Sequence, residues 1–313
     1  MTLPDSILST ICFFDCWQRP MTILDLEKYL IGQRTDQKKI AWALKTNLKL
    51  KKYLKKKKDF WQLKSSPDII ISWLTRQRQT RKFWRRHYPM FKSFLGLPFI
   101  KMVGVTGSLM VDGAMPKSDI DLFIVAKAKR VHLTRFALRG LIKFLAWKND
   151  LSEKFFCPTF LIDNAHLDRI EHDIFSAFEI GAMKLIWGRE TYERLLNRNK
   201  WVRKIFPKAY SEARLKEEIF KMDQDLQTKQ DFWAGFAPGE LGDWFEQQAL
   251  RRTQRLIEEE KKNYKDDIDN KLWSANRYIN SGRPQRKIRQ CFESEIKRIG
   301  LIRPIKQIGI DIF

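Results

Sequence analysis

GVTGSLMVDGAMPKSDIDLFIV, residues 104–125, decides the fold of this chain. Two acids, Asp119 and Asp121, stand one residue apart at the head of an apolar run. Gly107 and Ser108 end another apolar run ten residues before the first acid. In an extended strand residues two apart face the same way. Asp119 and Asp121 therefore project together, with Phe123 and Val125 continuing beneath them, while Ile120, Leu122 and Ile124 face the other side. Adjacent carboxylates repel and raise one another's pKa. A divalent cation removes that conflict, and Mg2+ favours one or two carboxylates together with phosphate oxygens. Gly107 lets the backbone come close to a ligand, and its N–H groups with the Ser108 hydroxyl suit a phosphate. A helix beginning near Ser108 adds its positive end. Gly113 and Pro116 fit a short helix and a turn that bring the second strand beside the first.

Working outward, the pattern over residues 67–168 is mixed α/β. FIKMVGV reads as a strand before the motif, a helix is expected from about Thr134 to Trp147, and CPTFLID reads as a further strand. After residue 168 the helical period dominates, so 169–313 is expected to be an all-α domain. Within it Leu241, Phe245, Ala249 and Leu256 recur at helical spacing behind a Pro238–Gly239 start signal. Residues 1–66 read as a small helical unit. Ile7, Ile11 and Phe14 share one helical face, Thr22 with Asp25 forms a capping box, and Asp36 caps a third helix that buries Ile40, Leu44 and Leu48. LKLKKYLKKKKDFWQL then reads as two strands around a lysine-rich turn. Three helices followed by such a hairpin resemble a winged helix-turn-helix.

The chain of 313 residues carries 60 Lys and Arg against 37 acids, a net charge of +23. That excess favours a polyanionic partner, RNA or DNA. It is concentrated in two places. Nine lysines and one acid lie between 45 and 64, and no acid at all lies between Ile69 and Val111. There Arg76, Arg78, Arg81, Lys82, Arg85 and Arg86 crowd one helix, interleaved with Phe83 and Trp84. A further basic cluster comprises Arg283, Arg286, Lys287 and Arg289. The four cysteines (Cys12, Cys16, Cys157, Cys291) do not form a disulfide framework in so long a chain and read as small core residues. No basic leader precedes the first apolar stretch and no apolar run is long enough to span a bilayer, so a cytoplasmic protein with no membrane partner is expected. The four histidines lack metal-ligand spacing, and no Walker A, G-x-G-x-x-G or G-x-S-x-G motif is present.

The joint pattern Thr106-Gly107-Ser108, ten residues, Asp119-Ile120-Asp121-Leu122 resembles the polymerase β-like nucleotidyltransferase superfamily. The resemblance covers about 100 residues. It implies an α/β nucleotidyltransferase core, a mixed sheet flanked by helices, between the winged-helix-like and all-α regions. It implies two Mg2+ ions, with Mn2+ as a substitute, held by Asp119 and Asp121, and an NTP whose phosphates lie on Gly107 and Ser108. An acceptor attacks the α-phosphate and pyrophosphate leaves. The family's third carboxylate falls on a later strand, where Asp163 at the end of CPTFLID is the best match. A nucleic-acid end leads among acceptors, with a protein hydroxyl or a small molecule still open, as are the NTP and the oligomeric state. Trp187 and Tyr192 are expected to pack in the core. The alternative is a nucleic-acid-binding regulator whose transferase domain is degenerate or senses a nucleotide.

Overall fold

The structure is a computed structural model that describes residues 1–115, 118–168, 170–220, 239–263, 271–274, 277–280 and 283–309, with side chains described outside 257–286. In chain order the elements are α1 (Leu3–Cys16), α2 (Ile23–Tyr29), α3 (Gln37–Thr46), α4 (Leu48–Tyr53), β1 (Leu54–Lys57), β2 (Phe60–Leu63), α5 (Ile70–His87), α6 (Lys92–Leu95), β3 (Ile100–Val105), α7 (Gly107–Met110), β4 (Ile120–Ala126), α8 (Val131–Lys148) and β5 (Phe156–Asp163). There follow α9 (Ile174–Ala182), β6 (Lys184–Trp187), α10 (Arg189–Arg198), α11 (Val202–Ile205), α12 (Pro207–Ala213), α13 (Gly239–Asn263), β7 (Lys271–Ser274), β8 (Arg277–Asn280), α14 (Arg283–Ile299) and α15 (Ile302–Lys306).

A mixed sheet flanked by helices forms the centre, in the order β6-β3-β4-β5-β8-β7. β3 and β4 are antiparallel, while β4 and β5 are parallel and joined through α8. The alternation along β4 assigns its two faces. Phe123 and Val125 join a core formed with α1 to α4, α9 to α12 and α14, whereas Ile120, Leu122 and Ile124 pack with Phe94, Leu138 and Ile142 on the opposite side. The first of these cores runs without a break from Ile7 through Phe123 and Phe178 to Phe292 and Ile305. The N-terminal helices, one sheet face and the C-terminal helices therefore share one apolar interior.

Local signals explain several helix starts. Thr22 and Asp25 exchange the two hydrogen bonds of a capping box, and Asp36 accepts from the Lys39 N–H at 2.9 Å. α8 is capped from a distance: Glu246 of α13 accepts from the His132 and Leu133 N–H groups at 2.7 and 2.8 Å, which satisfies donors left free at the helix start.

Several expectations are corrected. LKLKKY, read as a strand, is α4, started by Asn47, whose side chain accepts from the Leu50 N–H; the strands begin only at Leu54. Leu48, expected inward, is 80% exposed. The region after 168, expected to be all-α, contributes β6, β7 and β8 to the sheet. Leu241 and Phe245 lie exposed on α13, which instead turns Glu246, Ala249 and Thr253 towards the molecule. Cys16 and Cys291 form a disulfide that ties α1 to α14 across 275 residues, contrary to the reading of all four cysteines as core residues; Cys12 is a buried free thiol. Pro116, Pro238 and the side chains of Arg283 and Arg286 lie outside the described residues. No described helix is long and apolar enough to cross a membrane.

Candidate active site

The Gly-Ser turn and the acid pair are held together by the β3–β4 pairing. Thr106 N–H donates to the Asp121 carbonyl at 2.9 Å, continuing the β3–β4 ladder to the end of the strand pair. Gly107 follows with φ +66°, and α7 is a single turn that starts there. A Cβ at Gly107 would lie 1.9 Å from Oδ2 of Asp121, so the carboxylate occupies the space that any other residue would fill. This close approach, together with the left-handed backbone, explains why the position is glycine. Gly113 N–H closes the turn by donating to the Ser108 carbonyl at 2.8 Å. The Ala114 N–H donates to Thr80 Oγ1 of α5 at 3.0 Å, which anchors the motif loop to the basic helix.

Asp119 and Asp121 converge. Each offers a carboxylate oxygen within 4.8 Å of the other's and of Cys157 Sγ. Asp119 is exposed, and the other two are partly buried. Cys157 is the residue opposite Asp121 in the parallel β4–β5 register. The register then slips between Leu122 and Phe123, leaving Thr159 as an extra residue on β5. Such an irregularity re-aims a side chain, and Thr159 Oγ1 donates to Asp121 Oδ1 at 2.7 Å. Burial, and then the charge of Asp119, push the Asp121 carboxyl up to about 7; burial also raises Asp119.

A third acid lies behind this pair, though it is not Asp163. Glu179 of α9 is fully enclosed and is pushed up to about 8 by burial, with Asp121 adding to the rise. The Thr106 hydroxyl and Gly107 N–H face it and act in the opposite direction, yet neither of its oxygens closes a hydrogen bond of ordinary geometry. Asp163 pairs in register with Ala126, five residues along β4 from Asp121, or roughly 16 Å at strand spacing. Its Oδ1 accepts from the Ala165 and His166 N–H groups, both at 2.9 Å, and meets the His166 ring at 2.8 Å. Asp163 thus closes the turn after β5 and stands apart from the pair.

Beside Asp119 lies a cleft of about 730 Å3, whose lining includes Ser118, Asp119, Lys82, Arg86, His87 and Lys154. Phe83 and Phe155, also in its wall, stack with ring centroids 5.4 Å apart, and the His87 ring lies 4.6 Å from each. Burial and Arg86 hold His87 below its ordinary pKa. The lining therefore combines one acid, Asp119, with Lys82, Arg86, Lys154 and two phenylalanines. Tyr192 and Trp187 are buried away from solvent, with the Tyr192 hydroxyl on the Ile180 carbonyl at 2.8 Å. Comparisons with protein families, with curated proteins and with solved structures return no match to this chain.

The sequence reading named Gly107, Ser108, Asp119, Asp121 and the cations of α5. It missed Cys157, Thr159, Glu179 and Lys154. Only Glu179 left a signal, as a lone acid inside the apolar run IFSAFEIGA.

Proposed function

We propose that the chain is a divalent-metal-dependent nucleotidyltransferase that moves a nucleoside monophosphate from an NTP to an acceptor, with a nucleic-acid end as the leading acceptor. The observation that carries this reading is the Asp119–Asp121 pair beside a cleft that Asp119 lines together with Lys82, Arg86 and Lys154. A metal–polyphosphate complex matches that arrangement, because its cation meets the carboxylates and its surplus negative charge meets the lysines and arginine. The Gly107–Ser108 to Asp119–Asp121 spacing adds the superfamily resemblance, and the α1 to β2 order adds the winged-helix one.

The donor set fits a divalent ion: two carboxylates and one thiol within a single ion's reach. The thiol is softer than a third carboxylate, which weakens the fit to Mg2+ and favours softer divalent ions, Zn2+ more than Mn2+. When bound, the metal supplies charge neutralisation and in-line alignment of the phosphates. Asp121, fixed by Thr159 and wedged against Gly107, orients the site. Lys82, Arg86 and Lys154 hold the phosphates, and the Phe83–Phe155 wall offers a stacking surface for a base. With Asp163 engaged in its turn, Asp119, the more exposed of the pair, is the carboxylate left to receive the acceptor proton as pyrophosphate leaves.

A second reading rests on the same displacement of Asp163. With Asp163 engaged in its turn and Glu179 fully enclosed, no third carboxylate among the described residues is open to a nucleotide beside the pair, and the domain would bind a nucleotide without transferring it, in a nucleic-acid-binding regulator. The two readings separate on incubation of the protein with labelled NTPs, Mg2+ or Mn2+, and a pool of RNA, DNA and protein, beside Asp119→Ala/Asp121→Ala. Labelling that disappears in the double variant supports transfer. Absence of labelling with either metal, with nucleotide still bound, favours the regulator.

A further inference from the structure

The cleft does not end at Lys154. That residue also lines a second groove, about 300 Å3 in volume, with Arg135, Arg139, Lys143 and Glu153. Arg139 and Lys143 in turn line a third, about 350 Å3, which adds Arg252 of α13. The described residues lining these three grooves include seven lysines and arginines against two acids, Asp119 and Glu153. Glu153 meets Lys143 at 3.7 Å, but both side chains are more than half exposed, so water screens the pair and leaves Lys143 able to engage another anion. Arg135 donates to Thr253 Oγ1 at 3.3 Å, and the Arg252 guanidinium lies 5.5 Å above the Phe136 ring. Two of the cations are thus held in place on the α8–α13 seam.

The same helix carries aromatic rings in water. Trp147 is 80% and Phe144 52% exposed, with ring centroids 6.2 Å apart. Arg139, Lys143 and Trp147 follow at four-residue steps, so they share one helical face. Gly140, three residues before Lys143 and seven before Trp147, borders that face, and a Cβ there would meet no atom within 4 Å. A glycine inside an 18-residue helix costs about 1 kcal/mol relative to alanine, and packing here does not require one. It leaves the backbone bare between Arg139 and Lys143.

We infer that a single strand of nucleic acid lies along this track, its phosphates on Lys154, Lys143 and Arg139, a base stacked on Trp147, and its end at the Asp119–Asp121 cleft. Spaced cations with interleaved exposed rings match a strand whose bases are unpaired, because phosphates and ring faces are then presented together. A duplex hides its base faces and leaves Trp147 without a partner. The placement of the strand's end rests on the transfer reading of the cleft; binding along the track does not.

The test is fluorescence anisotropy of the full chain with a labelled 12-nucleotide oligo-dT or oligo-U, in EDTA without NTP, over a salt series. Arg139→Gln/Lys143→Gln should lower the slope of log K against log salt by about 1.4, at about 0.7 per single-strand phosphate contact. Trp147→Ala should weaken binding about tenfold with the slope unchanged. Asp119→Ala/Asp121→Ala should bind as tightly as the unaltered protein or more tightly. Arg139, Lys143 and Trp147 are exposed, and a thermal melt confirms that each variant is folded. Unchanged affinity and slope in the track variants would overturn the inference, as would a duplex competing as well as the single strand. Absence of nucleotide transfer by the unaltered protein, with track binding intact, would sink only the transfer reading.

Discussion

Asp121 without a metal is a source of instability that grows with pH, and its removal should stabilise the protein. Its carboxyl is pushed from 3.8 up to about 7 by burial and by Asp119. Between those values the folded state keeps a proton that the unfolded state releases. The stability contributed by this group is fully present below about pH 4 and is lost as pH rises to about 7. A rise of about 3 units at about 1.4 kcal/mol each sets an upper bound of about 4 kcal/mol. Partial access of water to Asp121 reduces this, and about 2 kcal/mol is the expected size. Asp121→Asn keeps an acceptor for the Thr159 hydroxyl and carries no charge. In EDTA at pH 8 the variant should melt about 4 °C higher than the unaltered protein, at roughly 2 °C per kcal/mol for a chain of this size. At pH 4 the two should coincide. Glu179, pushed up to about 8, adds a loss of the same sign to both proteins. Added Mn2+ should raise the melting temperature of the unaltered protein at pH 8 and leave Asp121→Asn unmoved. The reasoning is refuted if Asp121→Asn melts at the same temperature or lower at pH 8 in EDTA.

Gly107→Ala places a methyl group 1.9 Å from Asp121 Oδ2 at a positive φ, so stability should fall by about 2 kcal/mol or more, and calorimetric Mn2+ binding should weaken with it. Asp163→Ala removes the acceptor for the Ala165 and His166 N–H groups. It should cost about 1–3 kcal/mol by denaturant titration while leaving Mn2+ affinity unchanged; a loss of metal binding would return Asp163 to the site. Opening the Cys16–Cys291 bridge with reductant, or by Cys16→Ser, frees a loop of 275 residues and should cost about 2–5 kcal/mol, read as a lower urea midpoint than that of the oxidised protein.

The parts of the site legible in the sequence are those set by local rules. Strand period two puts Asp119 and Asp121 on the face of Phe123 and Val125, and Gly107 marks the turn where a side chain has no room. What the sequence hides depends on register and on distance. Cys157 meets the pair through the parallel alignment of β4 and β5, and Thr159 through a slip in that alignment. Asp163 has the right residue type at a strand end, but the following Asn-Ala-His supplies N–H groups that engage it locally, as Asp does in turns. KLIW is too short an apolar run for its period to distinguish β6 from a helix end. Alternation in LKLKKY imitates a strand, yet the Asn47 cap starts a helix there. The disulfide joins residues at the two ends of the chain, and nothing local announces it.

Electron paramagnetic resonance of Mn2+ titrated into the protein tests the central claim most directly, because free and protein-held ions are counted separately. The unaltered protein should sequester Mn2+, and more of it once a non-hydrolysable NTP analogue is added. Asp119→Asn/Asp121→Asn should hold no Mn2+ alone, and with the analogue present should remove no more of the ion than the analogue does without protein. Equal sequestration by the double variant, or none by the unaltered protein with the analogue present, contradicts a metal site on this pair of acids.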